Sequence, residues 1–193
     1  ITAVDINAKS VELARAELSD HNIKFIVQEQ LPLDIPDENF STITLSNTLH
    51  HLRDKPAVLA EFTRLLSRDG KLILTEMVSD GLSEAEQTYL MFHSLRAVID
   101  SSHDIFHDIT YTVDEILEIV SATKMRIIDQ TILPNEEPAS HEESEIKSMI
   151  KMVDDMIANE SHLPDIGDLT HAADQVKHFL RTHGIKRPRQ LYL

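Results

Sequence analysis

At 193 residues the chain is long enough to build one domain with a substantial core. Its 18 Lys and Arg against 33 Asp and Glu leave a formal charge of −15, which disfavours a nucleic-acid backbone or an anionic membrane surface as partner and favours a small molecule. Cysteine is absent, which excludes disulfides, thiolate metal sites and a cysteine nucleophile, and no apolar run approaches the roughly 18 residues that cross a bilayer, so the expected location is cytoplasmic.

In chain order, "ITAVDI" reads as a strand and Asn7 as the cap of a helix whose Val11, Ala14 and Leu18 form one buried stripe. A second strand is expected at "IKFIVQE", a loop at "LPLDIPDENF" and a third strand at "STITLSN". The next helix starts at Asp54 with Pro56 in its first turn, turns Val58, Leu59, Phe62, Leu65 and Leu66 inward, and is expected to stop at Gly70. "KLILTEMV" is the fourth strand. Alternation of strand and helix periods over this half predicts βαβ units and a parallel sheet.

Beyond residue 80 the character changes. "LSEAEQTYLMFHSLRAVID" and "TVDEILEIVSAT" read as helices around a polar loop, "SSHDIFHDITY". "KMRIIDQTIL" is a fifth strand, residues 135–143 are linker-like, two more helices follow, and "RPRQLYL" is a last strand. The whole chain is expected to be one domain, with helical inserts at about 82–107 and 135–185.

The run "FIVQEQLPLDIPDENFSTITLSNTLHHLRD" resembles the middle of the class I S-adenosylmethionine-dependent methyltransferases, in particular the small-molecule branch. The resemblance covers residues 1–78 well and 105–133 loosely. It implies an α/β, doubly wound, mostly parallel Rossmann-like sheet. By the same resemblance Ile1 opens the family's second strand, so that the sheet is expected to lack its first strand and the glycine-rich turn that cradles the methionine end of S-adenosylmethionine. The strand of Val4 is then expected either to face a gap or to pair directly with the strand of Ile43.

The resemblance implies cofactor contacts from Asp5, Ile6, Glu29, Gln30 and Ser46. Physically, a carboxylate at the C-terminal end of a parallel strand can accept from two vicinal ribose hydroxyls, but an acid there is equally favoured by the following helix dipole. Glu29 is placed to accept from an exocyclic amine, or to be a solvated loop acid. Asn47, His50, His93 and His107 are implied on the acceptor side, and His51 as a general base, since imidazole titrates near neutrality. The rival role for His51 is packing under the helix that follows. His103 and His107, four apart, could share a helix face as metal ligands do, yet the loop-like stretch around them favours substrate-lining or surface histidines, and no metal is expected. The function so implied is methyl transfer from S-adenosylmethionine to a small acceptor. Its alternatives are an NAD-dependent dehydrogenase, for which no Tyr-x-x-x-Lys pair is present, and a non-catalytic relative that only binds.

Overall fold

A computed structural model describes residues 1–164 and 166–193. Strand β1 (Thr2–Asp5), helix α1 (Ala8–Glu17) and strand β2 (Lys24–Val27) form a right-sized βαβ unit whose strands run parallel, Asp5 opposite Val27. Asn7 caps α1 as expected, its side-chain oxygen accepting from the amides of Lys9 and Ser10. The expected stripe is only partly realised: Val11 is buried, whereas Leu18 falls just past the helix and is 38 % exposed.

β3 (Phe40–Ser46), α2 (Lys55–Leu65) and β4 (Leu66–Met77) form the second parallel unit. Asp54 caps α2 through the amide of Ala57, and Pro56 occupies the first turn, where a missing N–H costs nothing. The helix stops at Leu65 and not at Gly70. Leu66 already has extended dihedrals and pairs with Phe40, and a register shift then brings Lys71 opposite Thr42. Gly70 belongs to that irregularity: a Cβ there would stand 3.0 Å from the Phe40 carbonyl oxygen and 3.0 Å from that of Ser67, so close backbone approach and not helix termination selects glycine.

α3 (Glu84–Ser102) and α4 (Val113–Ser121) each open with a reciprocal capping box, Ser83 with Glu86 and Thr112 with Glu115. β5 is shorter than its sequence suggests, Thr131–Leu133, and is exposed on every residue. α5 (Glu143–Asn159) and α6 (Ile166–His183) follow, and β6 (Gln190–Tyr192) runs antiparallel between β4 and β5. The order of the larger sheet is β3-β4-β6-β5, and β1 and β2 make a separate pair. Among the described residues no ladder joins β1 to β3, so of the two expected arrangements the Val4 strand takes the one without direct pairing.

Apolar burial falls into two clusters. Leu45 and Leu49, Leu74 and Val78, Ile116 and Val120 of α4, and Leu191 of β6 pack under the larger sheet. Leu95 and Ile99 of α3, Val153 of α5, and Leu169, Val176 and Leu180 of α6 build a helical layer of their own. Each fully buried Leu or Val contributes roughly 1.5–3 kcal/mol relative to an exposed one, so the helices at 82–107 and 135–185 are a packed unit with its own core. Ile146, Met149, Ile150, Val153, Met156 and Ile157 of α5 form its packing face.

Candidate active site

The C-terminal ends of β3 and β4 place the chemistry. After β3 the chain turns sharply at Asn47, whose φ of +46° is unusual for a residue with a side chain and whose amide donates to the Thr75 carbonyl at 2.8 Å. A 3₁₀ turn at Leu49–His51 then presents two adjacent histidines. His50 is buried, 2 % exposed, and its Nδ1 lies 3.0 Å from Oε1 of Glu76, the residue before the last of β4, which is 0 % exposed. The Glu76 carboxylate also accepts from the amides of Leu49 at 2.9 Å and Met77 at 3.1 Å, so its burial is offset by three donors.

Two further histidines reach the same place from the helical cover. His93 comes from the middle of α3. His107 comes from the loop after that helix, its Nδ1 2.7 Å from Oδ2 of Asp100 and its Nε2 3.2 Å from Nε2 of His93. The ring centroids of His51 and His107 are 4.2 Å apart, those of His50 and His51 4.3 Å, and those of His50 and His93 5.0 Å. Burial, reinforced by the neighbouring His50 and His107, pushes the imidazoles of both His51 and His93 down to about 4. Both are neutral at pH 7.

The loop that delivers His107 is clamped. Although burial opposes ionisation of Asp108, bonds from the Tyr111 hydroxyl and from Lys55 Nζ at 3.2 Å hold its carboxyl below the usual range. Burial and the bond to Asp108 push the Tyr111 phenol up. Lys55 also lies 5.0 Å from the centroid of the Phe106 ring, and the Asp108 amide donates to the His50 carbonyl at 2.8 Å. The first turn of α2, the His50 turn and the His107 loop are thus one bonded assembly.

The structure therefore unites four of the histidines singled out in the sequence, His50, His51, His93 and His107, and separates out the fifth. His103 is the C-cap of α3 and bonds the Glu160 carboxylate at 3.0 Å, so the four-residue spacing to His107 is not a helix face, because the helix has already ended. Sequence reading assigned no metal ligands, yet His50, His93 and His107 each offer a ligand atom, all within 4.8 Å of one another. Glu76, Asp100 and the Lys55–Asp108–Tyr111 clamp were missed. A charged residue inside the apolar run "KLILTEMV" was the signal for Glu76; nothing local marks Asp100.

Four of the five expected cofactor residues lie at or just beyond the ends of the β1–β2 pair, and the fifth, Ser46, ends β3. Asp5 ends β1 and is exposed, with Oδ1 accepting from the Asn7 amide at 2.8 Å. That bond satisfies the helix-entry role and leaves Oδ2 without a protein partner among the described contacts. Ile6 is 68 % exposed beside it. Glu29 and Gln30 follow β2, both exposed, with the Gln30 carbonyl accepting from Gln28 Nε2 at 2.8 Å. Ser46 closes β3, its Oγ accepting from Thr75 Oγ1 at 2.8 Å. Asn47 carries a buried Oδ1 with no partner, as does His93 at Nδ1.

Residues 1–74 match the family model described as "Methyltransferase domain". Over these residues the chain resembles the methyltransferase domain family. The chain is 31% identical over 102 residues to the ubiquinone/menaquinone biosynthesis C-methyltransferase UbiE of Proteus mirabilis, a match covering 49% of this chain and 40% of that protein. It is 33% identical over 78 residues to a demethylmenaquinone methyltransferase of Thermotoga maritima, covering 40% and 33%. The matches thus span two fifths or less of the length of these curated relatives. In structure it is similar to a putative methyltransferase from Bacillus halodurans, with a TM-score of 0.60 at 12% identity over 99% of this chain and 80% of that one. The methyltransferase fold therefore extends through the helical segments that the family match does not reach. No helix of the described residues is long and apolar enough to cross a membrane.

Proposed function

We propose that this chain carries out S-adenosylmethionine-dependent methyl transfer to a small-molecule acceptor. The observation that carries the reading is the pair of exposed acids, Asp5 and Glu29, at the C-terminal ends of adjacent parallel strands within the stretch that matches the methyltransferase domain. These residues fit a nucleoside. The free Asp5 oxygen suits a ribose hydroxyl, the exposed Ile6 side chain offers an apolar face to a base, and Glu29 with the Gln30 amide offers an acceptor and a donor to its edge. Ser46 completes the set from β3. When bound, the cofactor supplies an electrophilic methyl group.

Asn47, His50, His93 and His107 hold and orient the acceptor in this reading, and the helical layer of α3, α5 and α6 covers it and keeps out water. His51 lies at the edge of the histidine group, its residue open to solvent on one side while its ring is partly covered by His50 and His107, and it takes the acceptor's proton at a ring nitrogen. Alignment of the acceptor supplies most of the rate, so His51 assists and is not indispensable. The match over residues 1–74 weighs against the NAD-dependent alternative, which the same ribose acid would also serve.

Calorimetric titration with S-adenosylmethionine and with NAD tests this reading. Heat on addition of the first and none with the second is expected, with Asp5→Asn weakening binding about tenfold or more, as the loss of a charge-assisted hydrogen bond requires. Equal affinity of parent and Asp5→Asn overturns the ribose assignment.

A further inference from the structure

We propose that His50, His93 and His107 form a binding site for one divalent transition-metal ion of the zinc class. Three features of the geometry point to it. The first is convergence: β3's end, the middle of α3 and the loop after α3 bring three imidazoles together with their ligand atoms within 4.8 Å of one another. The second is orientation. Carboxylates accept, so the Nδ1 atoms of His50 and His107 that face Glu76 and Asp100 carry the ring protons, and both Nε2 atoms present lone pairs. A carboxylate behind each histidine is how proteins fix the tautomer and raise the basicity of a metal ligand. The third is spacing. Nε2 of His93 lies 3.2 Å from Nε2 of His107, and two imidazole nitrogens bound to one tetrahedral ion at about 2.0–2.1 Å stand about 3.3 Å apart.

The bland explanation is a hydrogen bond from His93 to His107. Nδ1 of His93 is buried without a partner whether Nε2 donates to His107 or binds an ion, so it does not separate the two. The hydrogen bond gives no reason for His50 to bring a third lone pair to the same space. Three neutral nitrogen ligands without oxygen select zinc, iron, cobalt, nickel or copper over magnesium and calcium. The two carboxylates behind the rings balance the ion's charge. Three protein ligands leave a fourth position for water or for an oxygen or nitrogen donor, the open coordination of a catalytic and not a structural site. The site uses histidines that the methyl-transfer reading places on the acceptor side, so an ion there would meet the acceptor through its open position. Its test involves no methyl transfer, and the two readings fail separately.

The full chain, stripped with chelator, is titrated with cobalt(II) chloride and then with zinc chloride. One equivalent of cobalt is expected to bind with visible ligand-field bands, which zinc abolishes by displacement. His107→Gln and His93→Gln are expected to lose the bands, and Asp100→Asn to weaken affinity about 10–100-fold. His171→Ala/His178→Ala, on the outer face of α6, removes two other neighbouring histidines and is expected to change nothing. X-ray absorption at the zinc edge of the parent counts the imidazoles directly, so the test stands even where a histidine variant fails to fold. Less than one ion per chain, bands that survive His107→Gln, loss of binding in the α6 double variant, or fewer than three imidazoles on the zinc each overturn the proposal.

Discussion

Nδ1 of His50 and Oε1 of Glu76 meet at 3.0 Å with both side chains sealed from solvent, and this contact fastens the turn after β3 to the end of β4. Because the same carboxylate holds the amides of Leu49 and Met77, Glu76→Ala leaves three donors facing a void. The expected loss is about 3 kcal/mol or more, since three buried donors lose their acceptor at about 1–3 kcal/mol apiece. Glu76→Gln keeps the volume and one acceptor and should lose about 1–3 kcal/mol. Urea denaturation of the two variants against the parent checks the order, and equal midpoints for all three would remove Glu76 from the account.

Glu61 gives a pH-dependent prediction. Its bond to Arg64 is the main reason its carboxyl is held below 4.5, burial opposes, and the Leu33 amide at 2.7 Å adds to the lowering. A carboxyl depressed in the folded state contributes stability that is present above its unfolded pKa and is lost as pH falls through the folded one. Melting temperature should therefore drop on acidification below about pH 4.5, and Glu61→Gln should start lower at neutral pH with a shallower acid slope. Parallel curves for parent and variant would contradict the assignment.

Gly184 ends α6 with φ of +68°, and a Cβ there would meet the Ser140 carbonyl oxygen at 2.2 Å. Gly184→Ala combines the left-handed strain of about 1–2 kcal/mol with a backbone clash, so its cost should exceed that range. Gly167, where a Cβ meets nothing within 4 Å, is the matched control inside the same helix, and Gly167→Ala should be neutral or slightly stabilising. Thermal melts of the two variants decide the point.

On the catalytic side, His51→Asn should lower turnover by about 10²-fold or more if the ring takes the acceptor's proton, with cofactor affinity unchanged. Unchanged turnover would leave His51 with packing alone. Exchange of residues 82–107 with those of a relative acting on another acceptor should change acceptor preference, since that segment carries His93 and His107. Kinetics on both acceptors report it.

Much of this was legible in the chain because it is local. Asn7 and Asp54, read as helix caps, accept from amides within three residues of themselves in the structure, and Ser83 and Thr112, not singled out in the sequence, cap α3 and α4 in the same local way. The stop of α2 was misread because Gly70 is selected by the carbonyl of Phe40, thirty residues away in sequence, and not by the helix before it. For the same reason Asp100 was invisible: its meaning depends on α3 ending at Ser102, so that the chain turns back and lays His107 against it. His103 was prominent in sequence and irrelevant to the cluster, since one residue beyond a helix the four-residue rule no longer describes direction.

The bridge between Ser140 and Ile185 reaches past stability. Their mutual backbone bonds, 2.8 and 3.0 Å, bring the entrance and exit of the α5–α6 hairpin side by side. The hairpin is thus joined to the rest of the chain at two neighbouring points, so a replacement need match only those ends and the α3 face on which α6 packs. Lineages can trade such a hairpin without redesigning the sheet, and a protein engineer can do the same by grafting at those two positions. The diversity of a family built this way would concentrate in interchangeable covers over a shared floor.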